Sequence, residues 1–383
     1  DAIDYTTLGS EIDRFDDFRT DPAIATFVLA DTTTVTLGSQ TEVDNFLADV
    51  TANLVSVSGA SQAVTVTAAP GGVDISHTDA IALAAAAGGT VTATIVSGTT
   101  VDQLKTLYDA GETNAYTITI DNADATGSTA AEFNTINSAT SVAINAAAVT
   151  SLSGTASDIA TLMSAATDTE QFTGASFDSV AANGLSITGT AIDVTDLNNA
   201  LSRTTAVSNN TVLATFASAQ GDITVSGGTA TEFDSLLALE GTNVNITGLN
   251  LTVDGSTVSV TQANNLTATT SGTVTATLTS GAVADLTDLT ADTDNNAALS
   301  ITITDNSASA ADLNTINAAT TLAVDATAIA TISASTLGAI STLGGAITGG
   351  QFAATNAIAT INVSGDAIDY TTLGSEIDRF DDF

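Results

Sequence analysis

Apolar residues along this chain follow two alternating rhythms. Short runs place Val or Ile at every second position with Thr or Asn between: AVTVTA (63–68), TVTATI (90–95), YTITI (116–120), SVAIN (141–145), NVNITG (244–249), TVTATL (273–278) and SITITDN (300–306). That period of two predicts strands with one buried face, and Gly, Asn and Asp close most runs as turns require. Between the runs a Ser or Thr stands three residues before an Asp or Glu, with apolar steps of three or four following. The copies are Ser39/Glu42, Ser76/Asp79, Thr99/Asp102, Thr129/Glu132, Thr155/Asp158, Thr190/Asp193, Thr229/Glu232 and Ser309/Asp312. This spacing predicts helix N-termini, because the hydroxyl accepts from the N3 amide while the N3 carboxylate reaches back and faces the positive helix end. Phe133 and Ile136 carry the buried stripe in the copy opened by Thr129, and Leu313 and Ile316 carry it in the copy opened by Ser309.

The pattern is itself repeated. Residues 1–18, DAIDYTTLGSEIDRFDDF, recur unchanged as 366–383, a period of 365 residues. Inside that period GTVTATIVSG (89–98) returns as GTVTATLTSG (272–281), AAEFNTIN (130–137) as AADLNTIN (310–317), and AIDYTTL (2–8) as AIDVTDL (191–197). The organisation read from this is a first half at 1–189, a homologous second half at 190–365, and the start of a next unit at 366–383. Helix starts at intervals of about 30 residues predict an α/β repeat solenoid, with short parallel strands stacked from coil to coil and one short helix per coil. A β-solenoid with helical insertions is the alternative. On either reading the chain is a slice of a longer tandem array.

Charge narrows the partners. Lys plus Arg number 5 against 43 Asp plus Glu, a formal net charge of −38. Nucleic acid and anionic membrane would be repelled, so neither is expected as a partner. With 44% hydrophobic residues the chain is too apolar for a disordered acidic tail. Cysteine is absent, which removes disulfides and thiolate chemistry, and no apolar run is long enough to span a bilayer.

Recurrent helix starts, Thr-x-Thr strands, no Cys and almost no Lys together resemble the very large tandem-repeat surface proteins of Gram-negative and cyanobacterial cells, of adhesin, surface-layer and filament type. That resemblance implies an extracellular structural or adhesive role and transfers no binding residue. The expected function is a structural repeat unit of a stalk, filament or layer, with neighbouring copies of the repeat as partners. No enzymatic activity is expected.

Candidate chemistry concentrates at the repeated junction. Asp13, Asp16, Asp17 and Asp21 lie within nine residues, beside Tyr5, Arg14, Phe15, Phe18 and Arg19. The four carboxylates are the candidate metal ligands, and Ca²⁺ is the candidate cation because hard cations take several carboxylate oxygens and would relieve self-repulsion. A packed seam between units, made by Tyr5, Phe15 and Phe18 with the two arginines paired to neighbouring Asp, is favoured over a cation site. Neither an EF-hand loop nor a GGxGxDxU repeat is present, and no cofactor is required. His77 opens a helix within SHTD and reads as a solvated first-turn residue. Outward Thr-x-Thr pairs at Thr65/Thr67, Thr92/Thr94, Thr117/Thr119, Thr275/Thr277 and Thr302/Thr304 suggest a hydroxyl ladder for polysaccharide or ice, the adhesin alternative. Cleavage of polysaccharide ranks below both, since the aromatic platforms and basic groups it needs are scarce.

Overall fold

The computed structural model describes residues 2–5, 7–8, 26–29, 34–57, 62–66, 73–108, 114–121, 128–149, 151–168, 171–173, 184–201, 214–353, 358–365, 371 and 373–375. The fold is α/β, with short parallel strands in small sheets alternating with short helices. None of the sheets formed by the described residues is closed. Packing divides the chain into two compact units, Asp1–Ile187 with Asn199–Ala214, and Thr188–Asn198 with Thr215–Phe383.

In the first unit the main sheet runs Ala2–Asp4, Thr34–Leu37, Val64–Val66, Val91–Ile95, with Asp74–Ile75 and Ala115–Thr117 also pairing to Val91–Ile95, all parallel. The register sets Val35, Val64 and Val91 side by side, and none of the three has measurable exposure. Burying each contributes about 1.5–3 kcal/mol, which is why alternation alone locates these strands. Smaller parallel pairs join Phe27–Leu29 to Val55–Val57 and Ile144–Asn145 to Phe172–Thr173.

In the second unit the main sheet runs Ala191–Asp193, Thr224–Gly228, Asn250–Val258, Val274–Leu278, Ala297–Ser300, again parallel. Its inward row is Ile192, Val225, Leu251, Val274 and Ala297, all buried. A second sheet runs Ser307–Ala308, Thr331–Ser335, Thr360–Val363, and Val324–Asp325 pairs with Phe352–Ala353. Along these sheets partnered residues lie 20 (Val258 and Leu278) to 33 (Ala191 and Thr224) positions apart in sequence. Gly272 stands in the bend before Val274–Leu278, where a Cβ would collide with the carbonyl oxygen of Leu249, the residue before the strand Asn250–Val258.

Most expected helix starts are present. Ser39, Ser76, Thr129, Thr229 and Ser309 each accept from the N3 amide of the helices Gln40–Thr51, His77–Ala86, Ala130–Ser138, Ala230–Leu237 and Ala310–Asn317. Thr155 does the same for Asp158 at the head of Ala156–Asp168. Two expected starts shift. The helix Val101–Lys105 is capped by Thr100 with Gln103, while Thr99 turns inward and donates to the Val96 carbonyl. Thr190 caps nothing: Asp193 ends a strand, and its carboxylate accepts from the Thr195 and Asp196 amides. NVNITG forms a turn rather than a strand, and the strand begins at Asn250.

Candidate functional site

The junction cluster is described only at Tyr5. Its ring is buried and meets Phe46 edge-on, with centroids 5.6 Å apart, and its hydroxyl donates to the Asp49 carboxylate. The repeated segment therefore anchors to the helix Gln40–Thr51 through one aromatic side chain. Asp13, Arg14, Phe15, Asp16, Asp17, Phe18, Arg19 and Asp21 lie outside the described residues. Among the described residues no group of three or more His, Asp or Glu is placed to hold a metal ion.

The threonine pairs are placed in rows. Thr36, Thr65 and Thr92 are partners across three parallel strands on the face opposite the buried valines, about 4.8 Å apart by strand spacing. Thr94 partners Thr117. Ala115 follows Thr92 in the first row, and in the second unit Thr252 and Thr275 are followed by Ala298. The rows are thus two or three hydroxyls wide. Thr67 lies outside the described residues.

Two features join successive helices that the sequence pattern did not single out. An asparagine five residues after the N-cap donates its Nδ2 to a backbone carbonyl of the next helical segment. Asn134 reaches Asp158 at 2.9 Å, Asn198 reaches Glu232 at 2.9 Å, Asn264 reaches Asp288 at 2.9 Å, and Asn314 reaches Ala339 at 3.0 Å. A threonine following the helix then grips the preceding strand. The Thr140 hydroxyl accepts from the Tyr116 amide at 2.9 Å, donates to the Tyr116 carbonyl at 2.7 Å and accepts from Val142 at 3.1 Å. Thr320 repeats this on Leu299 and Leu322, and Thr270 donates to Leu249 and accepts from Gly272. One hydroxyl has one proton to give and two lone pairs to receive, so the side chain substitutes for a missing strand rung. The signal was readable: Asn is a poor helix former, yet it recurs at one offset from four caps.

Lys105 is the one Lys or Arg among the described residues. Its ammonium lies 2.7 Å from both Asp102 Oδ1 and Glu132 Oε1, and these bonds raise its pKa above the ordinary lysine value. Lys105 in turn holds the Glu132 carboxyl below the usual carboxylate range, helped by the Thr129 amide. Glu232 is lowered likewise by the Thr229 amide and the Thr195 hydroxyl. These shifts belong to capping boxes and a surface ion pair. His77 is half-exposed at the first helical position after Ser76.

In the second unit an open cleft of about 750 Å³ lies between Ala230–Leu237 and Val260–Thr269, lined by Asp234, Leu237, Ser259, Thr261, Gln262 and Asn265 among others. Gln262 Nε2 donates to Asp234 Oδ2 at 2.7 Å and joins the two helices across it. No helix among the described residues is long and apolar enough to cross a membrane. No protein-family model matches the chain, and no similar curated protein or solved structure was found.

Proposed function

We propose that this chain is a structural repeat unit of a very long extracellular or cell-surface protein, its coils stacked as an α/β solenoid within a stalk, filament or layer. One observation carries the reading: the hydrogen-bonding side chains that recur at fixed positions, Asn134, Asn198, Asn264 and Asn314 with Thr140, Thr270 and Thr320, are directed at the backbone of the neighbouring coil. Such groups cement repeats. Neighbouring copies are the partners, and the net charge of −38 keeps the array solvated and disposes it to divalent cations.

Chains of one, two and three repeats imaged by electron microscopy test this: particle length should rise by a constant increment per repeat. Compact particles whose length does not grow would overturn it. Calcium titration with melting curves tests the cation, since a ligand that binds only the native state raises the melting temperature. An unchanged melting temperature with and without chelator removes calcium from the proposal.

The row Thr36, Thr65 and Thr92 favours a second reading, an adhesin that binds polysaccharide or ice through hydroxyls. Replacing all three with Lys should abolish binding to immobilised polysaccharide or inhibition of ice recrystallisation. Wild-type protein with neither activity sinks that reading.

A further inference from the structure

The strand Thr360–Val363 is the last member of its sheet: it pairs with Thr331–Ser335 on one edge, and its other edge ends the sheet among the described residues. Its inward side chains differ from those of inner strands. Ile361 and Val363 are half-exposed, whereas Ile332, the register partner of Ile361, has no exposure. An apolar strand edge of this kind invites another strand, and natural proteins otherwise protect such edges with charge or Pro, which TINV lacks.

The repeat supplies an occupant. Partnered strand residues among the described residues are 20 to 33 positions apart in sequence. On the tandem-repeat reading, a next repeat at the period of 365 would place the counterpart of position 27 at 392, 31 residues beyond Ile361. The strand at that position is Phe27–Leu29, which within its own repeat forms one side of a two-stranded sheet with Val55–Val57. Its alternation is compatible: Leu29 is buried and Val28 is 63% exposed, so Phe27 and Leu29 face inward as Ile361 and Val363 do.

We infer that successive repeats are joined by a parallel strand pairing between Thr360–Val363 of one repeat and Phe27–Leu29 of the next, with Ile361 beside Phe27, Asn362 beside Val28 and Val363 beside Leu29. The inference rests on the tandem-repeat reading above and adds the contact that makes consecutive repeats one continuous sheet. It gives Ile361 and Val363 the cover that inner strands have, and it leaves Asn362 and Val28 as outward neighbours.

The chain contains no cysteine, so a disulfide reports this register without background. A two-repeat chain, residues 1–365 followed by 1–383, carries N362C in the first copy and V28C in the second. Parallel neighbours stand about 4.8 Å apart, inside the Cα separation a disulfide accepts. T252C/T275C, an in-register outward pair within the second unit, sets the yield attainable by mild oxidation. The junction pair should cross-link within about twofold of that control, whereas T360C/V28C, offset by two residues, should give at least about fivefold less. No cross-link at N362C/V28C beside an efficient control overturns the pairing.

Hydrogen exchange on the cysteine-free chain provides the second measure. Amides of residues 360–363 should exchange at least about tenfold more slowly in the first copy of the two-repeat chain than in a single repeat. Equal rates overturn the inference, because another segment or nothing then covers the edge. Particle length separates the two failures: a constant increment per repeat without cross-link or protection sinks the strand pairing alone, while no increment sinks the repeat-stalk reading as well.

Discussion

Two corresponding stretches, 101–140 in the first unit and 283–320 in the second, build the same pair of helices with different chemistry. Val101, Leu104 and Leu107 match Val283, Leu286 and Leu289, and all six are buried. Phe133 and Ile136 match Leu313 and Ile316, again buried. Asn134 and Asn314 reach the next helix, and Thr140 and Thr320 grip the preceding strand in the same way. The first stretch also has the Lys105–Glu132 ion pair; the second has Thr287 and Asp312 at those places. What the two stretches share is apolar shape and neutral bonds to backbone, and what differs is a half-buried charge pair at the surface. The stacking therefore depends on groups whose loss would strand buried backbone polar atoms, and the ion pair is an addition to it.

The largest effect should come from the threonine hydroxyls. T140V leaves the Tyr116 amide, the Tyr116 carbonyl and the Val142 amide without this partner, and T320V does the same at Leu299 and Leu322. An unsatisfied buried backbone group costs about 1–3 kcal/mol, so after relaxation each variant should lose about 3 kcal/mol. Urea unfolding of both variants checks this. Losses that differ by more than about 1.5 kcal/mol would break the equivalence of the two stretches.

Removing the asparagine bonds should cost less. N134A and N314A each delete one hydrogen bond between helices, worth about 1 kcal/mol net. For Asn314 the loss should fall at the lower end, because its Oδ1 is buried without a hydrogen-bond partner and its removal relieves a desolvated acceptor. Thermal melts of the two variants rank them. N314A costing more than N134A would contradict the argument.

The architecture was more legible in the sequence than the contacts that hold it. Val64 and Val91 declared their strands because burial of one face imposes a period of two. Six cap pairs declared their helices because the orphan amides of a helix start have few other partners. The misplacements have the same root. The pair Thr99/Asp102 lies one residue before the true cap because a glutamine at N3, here Gln103, caps as well as a carboxylate, and Ser259 with Gln262 carries the same unmarked signal. Thr140 and Thr320 were unreadable for another reason: a Thr after a helix is commonplace, and only the return of the chain to the preceding strand gives its hydroxyl two backbone groups to serve. The junction carboxylates Asp13, Asp16, Asp17 and Asp21 were conspicuous as charge, yet charge density alone names no ligand geometry.

Grafting the ion pair sharpens the comparison further. K105T gives the first stretch the residue of the second and should lower the urea midpoint slightly, an effect that salt screens away. T287K makes the reverse exchange, placing an ammonium where Asp312 stands in for Glu132, and should raise the midpoint slightly at low ionic strength. Urea midpoints for both at low and high salt decide the matter. A cost for K105T that persists in 1 M salt would make the pair part of the stacking after all.

The smallest effect is one of pH. Glu132 has a folded pKa lowered first by its bond from Lys105, so it binds its proton more readily unfolded than folded. Its contribution to stability is therefore complete above the unfolded carboxylate pKa and is lost as pH falls through the lower folded value. E132Q keeps the capping geometry, as Gln103 and Gln262 do in their own boxes, but has no proton to take up. The variant should melt slightly below wild type at pH 7, and the two should converge as pH falls through the acid range. Glu232 follows the same sign, with its pKa lowered by Thr229 and Thr195 rather than by a cation. The E232Q difference should survive high salt, while that of E132Q shrinks, because only the latter is a Coulombic pair. An E132Q difference that widens toward low pH would reverse the sign and remove Lys105 as its cause.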